Sequence, residues 1–194
     1  MGVIELHPAE NRGYRELYVF ARNVTVHWPK LAARMSSSAA EAPLRDGAAA
    51  AQELLRDLEG RTPEYGLYGK PSAQSLGANL ARARRDVRDR FLERNQAMRL
   101  AVSDLQHVVT LLGYLEQLAR TRGDESLGGF CSGQRERLMP IEDAARAAAI
   151  ELGAKPDEAV EPLDDSKAGR MAHGAAYTMG SVGEWLDRRA GNKR

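Results

Sequence analysis

The sequence has a single cysteine and no long apolar run. Cys131 is the only cysteine among 194 residues, so no disulfide can form within the chain. The most apolar stretch, residues 171–186, contains a histidine, a glutamate and three glycines, and it is shorter than the ~20 apolar residues of a membrane span. The first residues carry neither a basic leader nor an apolar segment. These features predict a chain without a transmembrane segment, in a cytoplasmic and reducing setting.

An excess of one charge is also missing. The chain has 28 basic and 27 acidic residues, which gives a net charge of +1 when the histidines are neutral. A protein that wraps nucleic acid along its whole length needs a clear excess of basic residues. The balance therefore argues against nucleic acid as a partner, and any such role would be local.

Strand signals are absent as well. The sequence shows no pair of alternating apolar runs joined by a hairpin turn, and no internal repeat. Apolar residues instead recur at three- and four-residue spacing, as they do on one face of an α-helix. We therefore predict an all-α fold: a single helical domain over residues 1–194, with about five helices around one long central helix, and flexible ends at residues 1–10 and 190–194.

Periodicity and helix-breaking residues give the predicted bounds of the first three helices. The first covers residues 14–35 and bends near His27, because Pro29 lacks the backbone amide that a helix interior needs. The second stops at Gly60. The long central helix covers residues 75–120.

Proline and glycine predict two loops, at residues 61–71 and 122–133. A helix ending near Gly153 follows the second loop, and an acidic connector follows that helix. The last helix begins at the N-cap pair Asp165–Ser166. Its small residues at four-residue spacing would allow close approach of another helix; they are Ala172, Ala176 and Gly180.

Cys131 stands in the glycine-rich segment Gly-Gly-Phe-Cys-Ser-Gly. Its spacing to Arg137, with Gly133 two residues on, resembles the phosphate loop of the low-molecular-weight protein tyrosine phosphatases. The resemblance covers this short segment alone and implies a thiolate nucleophile beside a phosphate-binding arginine. The same residues fit a nucleophile elbow with cysteine in place of serine. Both motifs need a preceding strand, which residues 123–130 do not provide, so we expect no catalytic residue and at most a reactive thiol at Cys131.

Asp104 and His107 have the spacing of a carboxylate and a histidine in the metal sites of helical bundles. Such sites need a second pair of this kind and two further carboxylates. The second pair is missing, since Arg170 stands where a carboxylate would precede His173. We predict no cofactor, and a metal ion at Asp104 and His107 is the alternative to a solvated pair.

Two charged residues fall within the apolar stripe of the predicted central helix. At 100° per residue, Arg94 takes the angular position of Leu112, and Glu116 takes that of Met98. Because an unpaired buried charge is costly, each needs an opposite charge from another helix, a ligand or a partner protein. A local turn of the stripe that leaves both exposed is the open alternative.

Further candidate contacts for a partner lie in an arginine-rich run over residues 82–94 and in the predicted loop that carries two tyrosines. Acidic residues at helical spacing within the run favour intrahelical ion pairs and a solvated face. The candidate partner-binding residues are Arg84, Arg88, Arg94, Tyr65, Tyr68 and Glu116.

These observations favour a binding or assembly module that acts through protein–protein contact or self-association, with a homo-oligomer as one form. No complete catalytic constellation supports an enzyme. The alternative is a helical-bundle enzyme, or a cofactor- or metal-binding protein, that uses interior histidines and carboxylates. A nucleic-acid accessory protein is the second alternative.

Overall fold

Four long helices make up most of the structure, a computed structural model that describes residues 4–36, 38–66, 92–164, 166–171 and 174. They are followed by a short 3₁₀ turn and a short helix. The elements in chain order are α1 (Pro8–Arg34), α2 (Glu41–Tyr65), α3 (Arg94–Thr121), α4 (Glu125–Glu151), the turn Leu152–Ala154, and α5 (Pro156–Ala159). The described residues contain no sheet, only an isolated bridge between Glu93 and Pro162. The predicted all-α helical bundle is confirmed.

The four long helices pack so that each neighbouring pair is antiparallel. Both α1 and α4 contact α2 and α3, which places α1 and α4 on one diagonal of the bundle. The contacts Glu16 with His107 and Asn23 with Asp104 show that α1 and α3 run in opposite directions, because the residue number rises along α1 as it falls along α3. The end of α2 and the start of α3 therefore lie at opposite ends of the bundle, about 40 Å apart for helices of this length.

One hydrophobic core is shared by the four helices. The predicted stripe of α1 is buried at Leu17, Ala21, Val24, Trp28, Leu31 and Met35. The predicted stripe of α3 is buried at Met98, Val102, Leu105 and Leu112. Helix α1 runs unbroken through Pro29, and the bend near His27 stays a prediction. Periodicity therefore identifies the core faces of both helices.

Helix α2 extends beyond Gly60 to Tyr65, so the loop predicted from residue 61 is wrong as far as residue 65. Tyr65 is buried in the core, and burying an aromatic ring stabilises this added turn. The helix ends at Gly66, whose φ of 61° is a left-handed conformation that glycine adopts without steric cost. Residues 67–71 lie outside the described residues.

Helix α3 begins at Arg94, so the continuous helix predicted over residues 75–120 is wrong at this point. Glu93 is extended, and it forms a capping box with Gln96. Backbone hydrogen bonds pair this start with residues 161–163, which come after α4 in the chain. Local periodicity cannot detect a boundary that a distant segment fixes. The part of the predicted helix before residue 92 lies outside the described residues.

A tight turn joins α3 to α4. Gly123 has a φ of 81°, and its N–H donates to the carbonyl of Arg120 at 3.0 Å, while Asp124 N–H donates to Ala119 at 2.9 Å. These two bonds form a Schellman motif. Asp124 then caps α4 by accepting the N–H of Leu127 at 2.9 Å. The glycine-rich loop predicted over residues 122–133 is therefore wrong beyond Asp124, because α4 begins at the next residue.

The segments before α1 and after α5 are also placed by specific contacts. Leu6, within the predicted flexible end 1–10, is buried, and Ile4 N–H donates to the carbonyl of Glu64 at 2.9 Å. Ser166 Oγ accepts the N–H of Gly169 at 3.0 Å, in agreement with the predicted N-cap. Residues 167–171 are helical; the small residues of the predicted last helix lie outside the described residues.

We expect Gly47→Ala to destabilise the protein, because the new methyl group would overlap the ring of Trp28, which is fully buried. Overpacking of this kind typically lowers the free energy of unfolding by about 1–3 kcal/mol, measured by urea denaturation. Gly60→Ala is the matched control: it lies on the same helix with open space around it, and it should raise stability by roughly 0.5–1 kcal/mol. A gain in both variants would contradict the packing described for Trp28.

Candidate functional site

The carboxylate of Glu10 lies almost wholly buried at one end of the bundle, with 1% exposure. It accepts the N–H of His7 at 3.0 Å and two donors from Arg122, Nε at 3.2 Å and Nη2 at 3.2 Å. Desolvation lowers the pKa of Arg122, but its hydrogen bonds to Glu10 and the nearby negative charge outweigh this, so the pKa is raised. The ion pair joins the N-terminus of α1 to the C-terminus of α3.

Asp124 extends this cluster to the other two helices. Its Oδ2 accepts from Arg122 at 3.1 Å, and its Oδ1 accepts from Tyr65 Oη at 3.3 Å while it caps α4. Burial raises the pKa of Tyr65, and the Asp124 charge raises it further. Glu10, Arg122, Asp124 and Tyr65 therefore connect one end of all four long helices, and we call these four residues the end cluster.

Cys131 faces the core from the second turn of α4, and it is fully buried. Its Sγ lies 3.2 Å from Tyr14 Oη, across the bundle diagonal. Burial raises the pKa of Cys131 to about 11, although the hydrogen bond between Cys131 and Tyr14 opposes the rise. Burial also raises the pKa of Tyr14. The segment before α4 is helix α3 and a turn, so the strand that the phosphatase loop requires is absent here; burial and a raised pKa both lower the reactivity expected of this thiol.

Asp104 and His107, the predicted metal pair, both face α1 but contact different residues. Asp104 Oδ2 accepts from Asn23 Nδ2 at 3.0 Å, and His107 Nε2 lies 2.8 Å from Glu16 Oε1. The ring of His107 also packs on Phe20, with 4.2 Å between ring centroids. Asn23 and Glu16 are about 10 Å apart along α1 by helix rise. The two side chains are therefore held on separate partners rather than converging on one point.

The two charges within the apolar stripe both meet opposite charges from other elements. Glu116 is buried and pairs with Arg135 of α4 at 3.2 Å, and with Arg120 of its own helix at 2.8 Å. Arg94 pairs with Glu161 at 2.8 Å. The sequence left several alternatives open for Arg94 and Glu116, and the structure shows ion pairs within the chain for both.

The remaining predicted partner-binding residues fall in two places. Tyr65 is buried in the end cluster, with 3% exposure. Tyr68, Arg84 and Arg88 lie outside the described residues.

The exposed surface of α3 is a feature that the sequence analysis missed. Every exposed residue of this helix between positions 100 and 117 is uncharged. We call this set the uncharged face: Leu100, Ser103, Gln106, Thr110, Tyr114 and Gln117. Tyr114 is 50% exposed and Leu100 36%. Exposed residues of α1 and α2, in contrast, carry charges along both helices, among them Arg12, Arg22, Lys30, Arg45, Arg56 and Glu64. The lack of charge from Leu100 to Gln117 was visible in the sequence, because helical spacing places all six positions on one side of α3. Exposed Arg99 lies on the same side, immediately before Leu100.

Among the described residues, no group of three or more histidine, cysteine, aspartate or glutamate side chains is close enough to hold a metal ion. No helix in the described ranges is both long and apolar enough to cross a membrane. The chain matches no family model, no curated protein and no solved structure.

We expect Glu10→Gln to lower the free energy of unfolding by about 2–3 kcal/mol, because Arg122 would lose its charged partner and a buried acceptor would be weakened. Glu53→Gln is the matched control. Glu53 pairs with Arg137 across α2 and α4, but both side chains are close to half exposed, so the change should cost less than about 1 kcal/mol. Equal losses in the two variants by urea denaturation would show that the end cluster has no special role.

Proposed function

We propose that this chain is a helical binding or assembly module that acts through protein–protein contact or self-association. The uncharged face of α3 is the observation that carries the proposal. It extends about 26 Å along the helix, since each residue rises 1.5 Å. The centre of a protein interface is typically depleted of charged residues, and this face carries no charge and has a half-exposed tyrosine, Tyr114.

The bonding of the interior polar residues favours this proposal over a bundle enzyme or metal protein. Such a site needs carboxylates and histidines that converge on a bound molecule. Asp104, His107 and Glu116 instead contact three different residues of neighbouring helices, Asn23, Glu16 and Arg135. Their positions serve packing between helices. The cytoplasmic location and the partner contacts of Arg84, Arg88 and Tyr68 stay predictions.

Native mass spectrometry of protein purified from its cells without chelator tests the proposed function. We expect a defined oligomer or a complex with another protein, free of extra small mass. Retained metal or small-molecule mass would contradict the proposal and favour the bundle enzyme. Loss of copurifying nucleic acid at raised salt, with no protein complex left, would instead favour the nucleic-acid alternative.

A further inference from the structure

We propose that the exposed side of α4 binds residues 76–91 of the same chain, which belong to the connection between α2 and α3. This connection comprises the 25 residues 67–91. It starts after Gly66, at the end-cluster end of the bundle, and has to reach residue 92 at the opposite end, about 40 Å away. The inference goes beyond the proposed function, because it concerns α4 and a contact within one chain.

The length of the connection leaves little slack. The spacing of apolar residues predicts a helix from residue 75 onward. As a helix, residues 75–91 would rise roughly 25 Å, and residues 67–74 reach roughly 28 Å when fully extended. The sum of roughly 53 Å exceeds the distance between the two ends by only about a quarter. A connection of this reach has to follow the side of the bundle.

The order of the helices limits this route to two sides. Helices α2 and α3 occupy one diagonal of the bundle, so a path between them along the outside passes either α1 or α4. At the end of the route, the carbonyl of Leu92 accepts the N–H of Leu163 at 2.9 Å, and Arg94 N–H donates to the carbonyl of Glu161 at 3.0 Å. The chain therefore enters α3 beside the segment that follows α4.

Charge favours the route over α4. Residues 67–91 contain six basic and two acidic residues. Helix α1 has five basic and two acidic residues, whereas residues 125–164, which include α4, have four basic and nine acidic residues. Exposed Glu136, Asp143 and Glu151 lie along α4. A basic segment would therefore meet opposite charge over α4 and like charge over α1.

Helix α4 also presents apolar side chains at a matching interval. Met139 is 45% exposed and Ile150 is 72% exposed. They are eleven residues apart, close to three helical turns, so they lie on the same side of α4. Leu76 and Val87 have the same separation in the sequence. Because the connection and α4 run in the same direction, Leu76 would cover Met139 and Val87 would cover Ile150, which removes apolar surface from water.

Cross-linking within the full-length chain tests the inference. The double variants Val87→Cys/Ile150→Cys and Leu76→Cys/Met139→Cys are treated with a short bis-maleimide, and mass spectrometry measures the monomer in which one linker has consumed both new thiols. Val26 is the matched control position, because it is an exposed apolar residue on α1. We expect at least about tenfold more internal cross-link in Val87→Cys/Ile150→Cys than in Val87→Cys/Val26→Cys, since fixed proximity raises the effective concentration of the two thiols.

Each outcome supports or overturns the inference. Internal cross-links in both α4 pairs, with few in the Val26 control, would support binding on α4. A higher yield with Val26 would overturn the inference in favour of a route over α1. Equal yields in all pairs would show that the connection is held on neither helix, and links between two chains would show that α4 binds a second copy; both results overturn the inference.

Two controls complete the experiment. The single variant Val87→Cys gives the background from Cys131, which is buried. Circular dichroism checks that each variant is folded, and the two α4 pairs are independent of each other. None of the outcomes depends on the uncharged face of α3, so the inference and the proposed function stand or fall separately.

Discussion

The buried carboxylate of Glu10 is the constraint on which the arrangement of the four helices depends. A carboxylate with 1% exposure needs compensation, and Arg122 at the end of α3 provides the opposite charge. Arg122 also bonds to Asp124, which caps α4 and accepts from Tyr65 at the end of α2. The N-termini of α1 and α4 and the C-termini of α2 and α3 therefore meet at one end of the bundle. Neighbouring helices are therefore antiparallel, and α3 begins at the opposite end of the bundle from the end cluster.

The tight turn between α3 and α4 and the end cluster support each other. The left-handed Gly123 reverses the chain within a few residues, so Arg122 and Asp124 point into the same corner of the bundle. Deeper in the bundle, Tyr14 and Cys131 meet across the diagonal between α1 and α4. Polar groups buried at this end are thus used to fix helix positions. The chemistry that a lone cysteine first suggests is opposed by its place in the core and its raised pKa.

The features that depend on local spacing could be predicted from the sequence. The buried stripe of α1, with Leu17 and Trp28, follows from the three- and four-residue period alone. The start of α3 could not be predicted, because extended residues near Glu93 pair with a segment beyond α4. The glycines of α4 suggested a loop because glycine disfavours helix, but the cap at Asp124 and packing against α3 outweigh that cost. Pairing of Glu116 with a charge from another helix was one of the alternatives that the sequence left open, whereas Arg135 as its partner depends on the register of α3 against α4.

Polar residues differ between the interior of the bundle and the exposed surface of α3. The buried carboxylates of Glu10 and Glu116 are matched by arginines from other helices, and the exposed residues of α3 from Leu100 to Gln117 carry no charge. The proposed protein–protein contact or self-association would use this uncharged stretch of α3. Cross-linking in cell extract from a Thr110→Cys variant that carries a thiol-linked photoreactive group tests this most directly, because Cys131 is buried and the wild-type chain supplies the background. We expect a defined covalent adduct, with another protein or with a second copy of the chain, from Thr110→Cys and none from the wild type or from Gln52→Cys. Equal yields from Thr110→Cys and Gln52→Cys would contradict it.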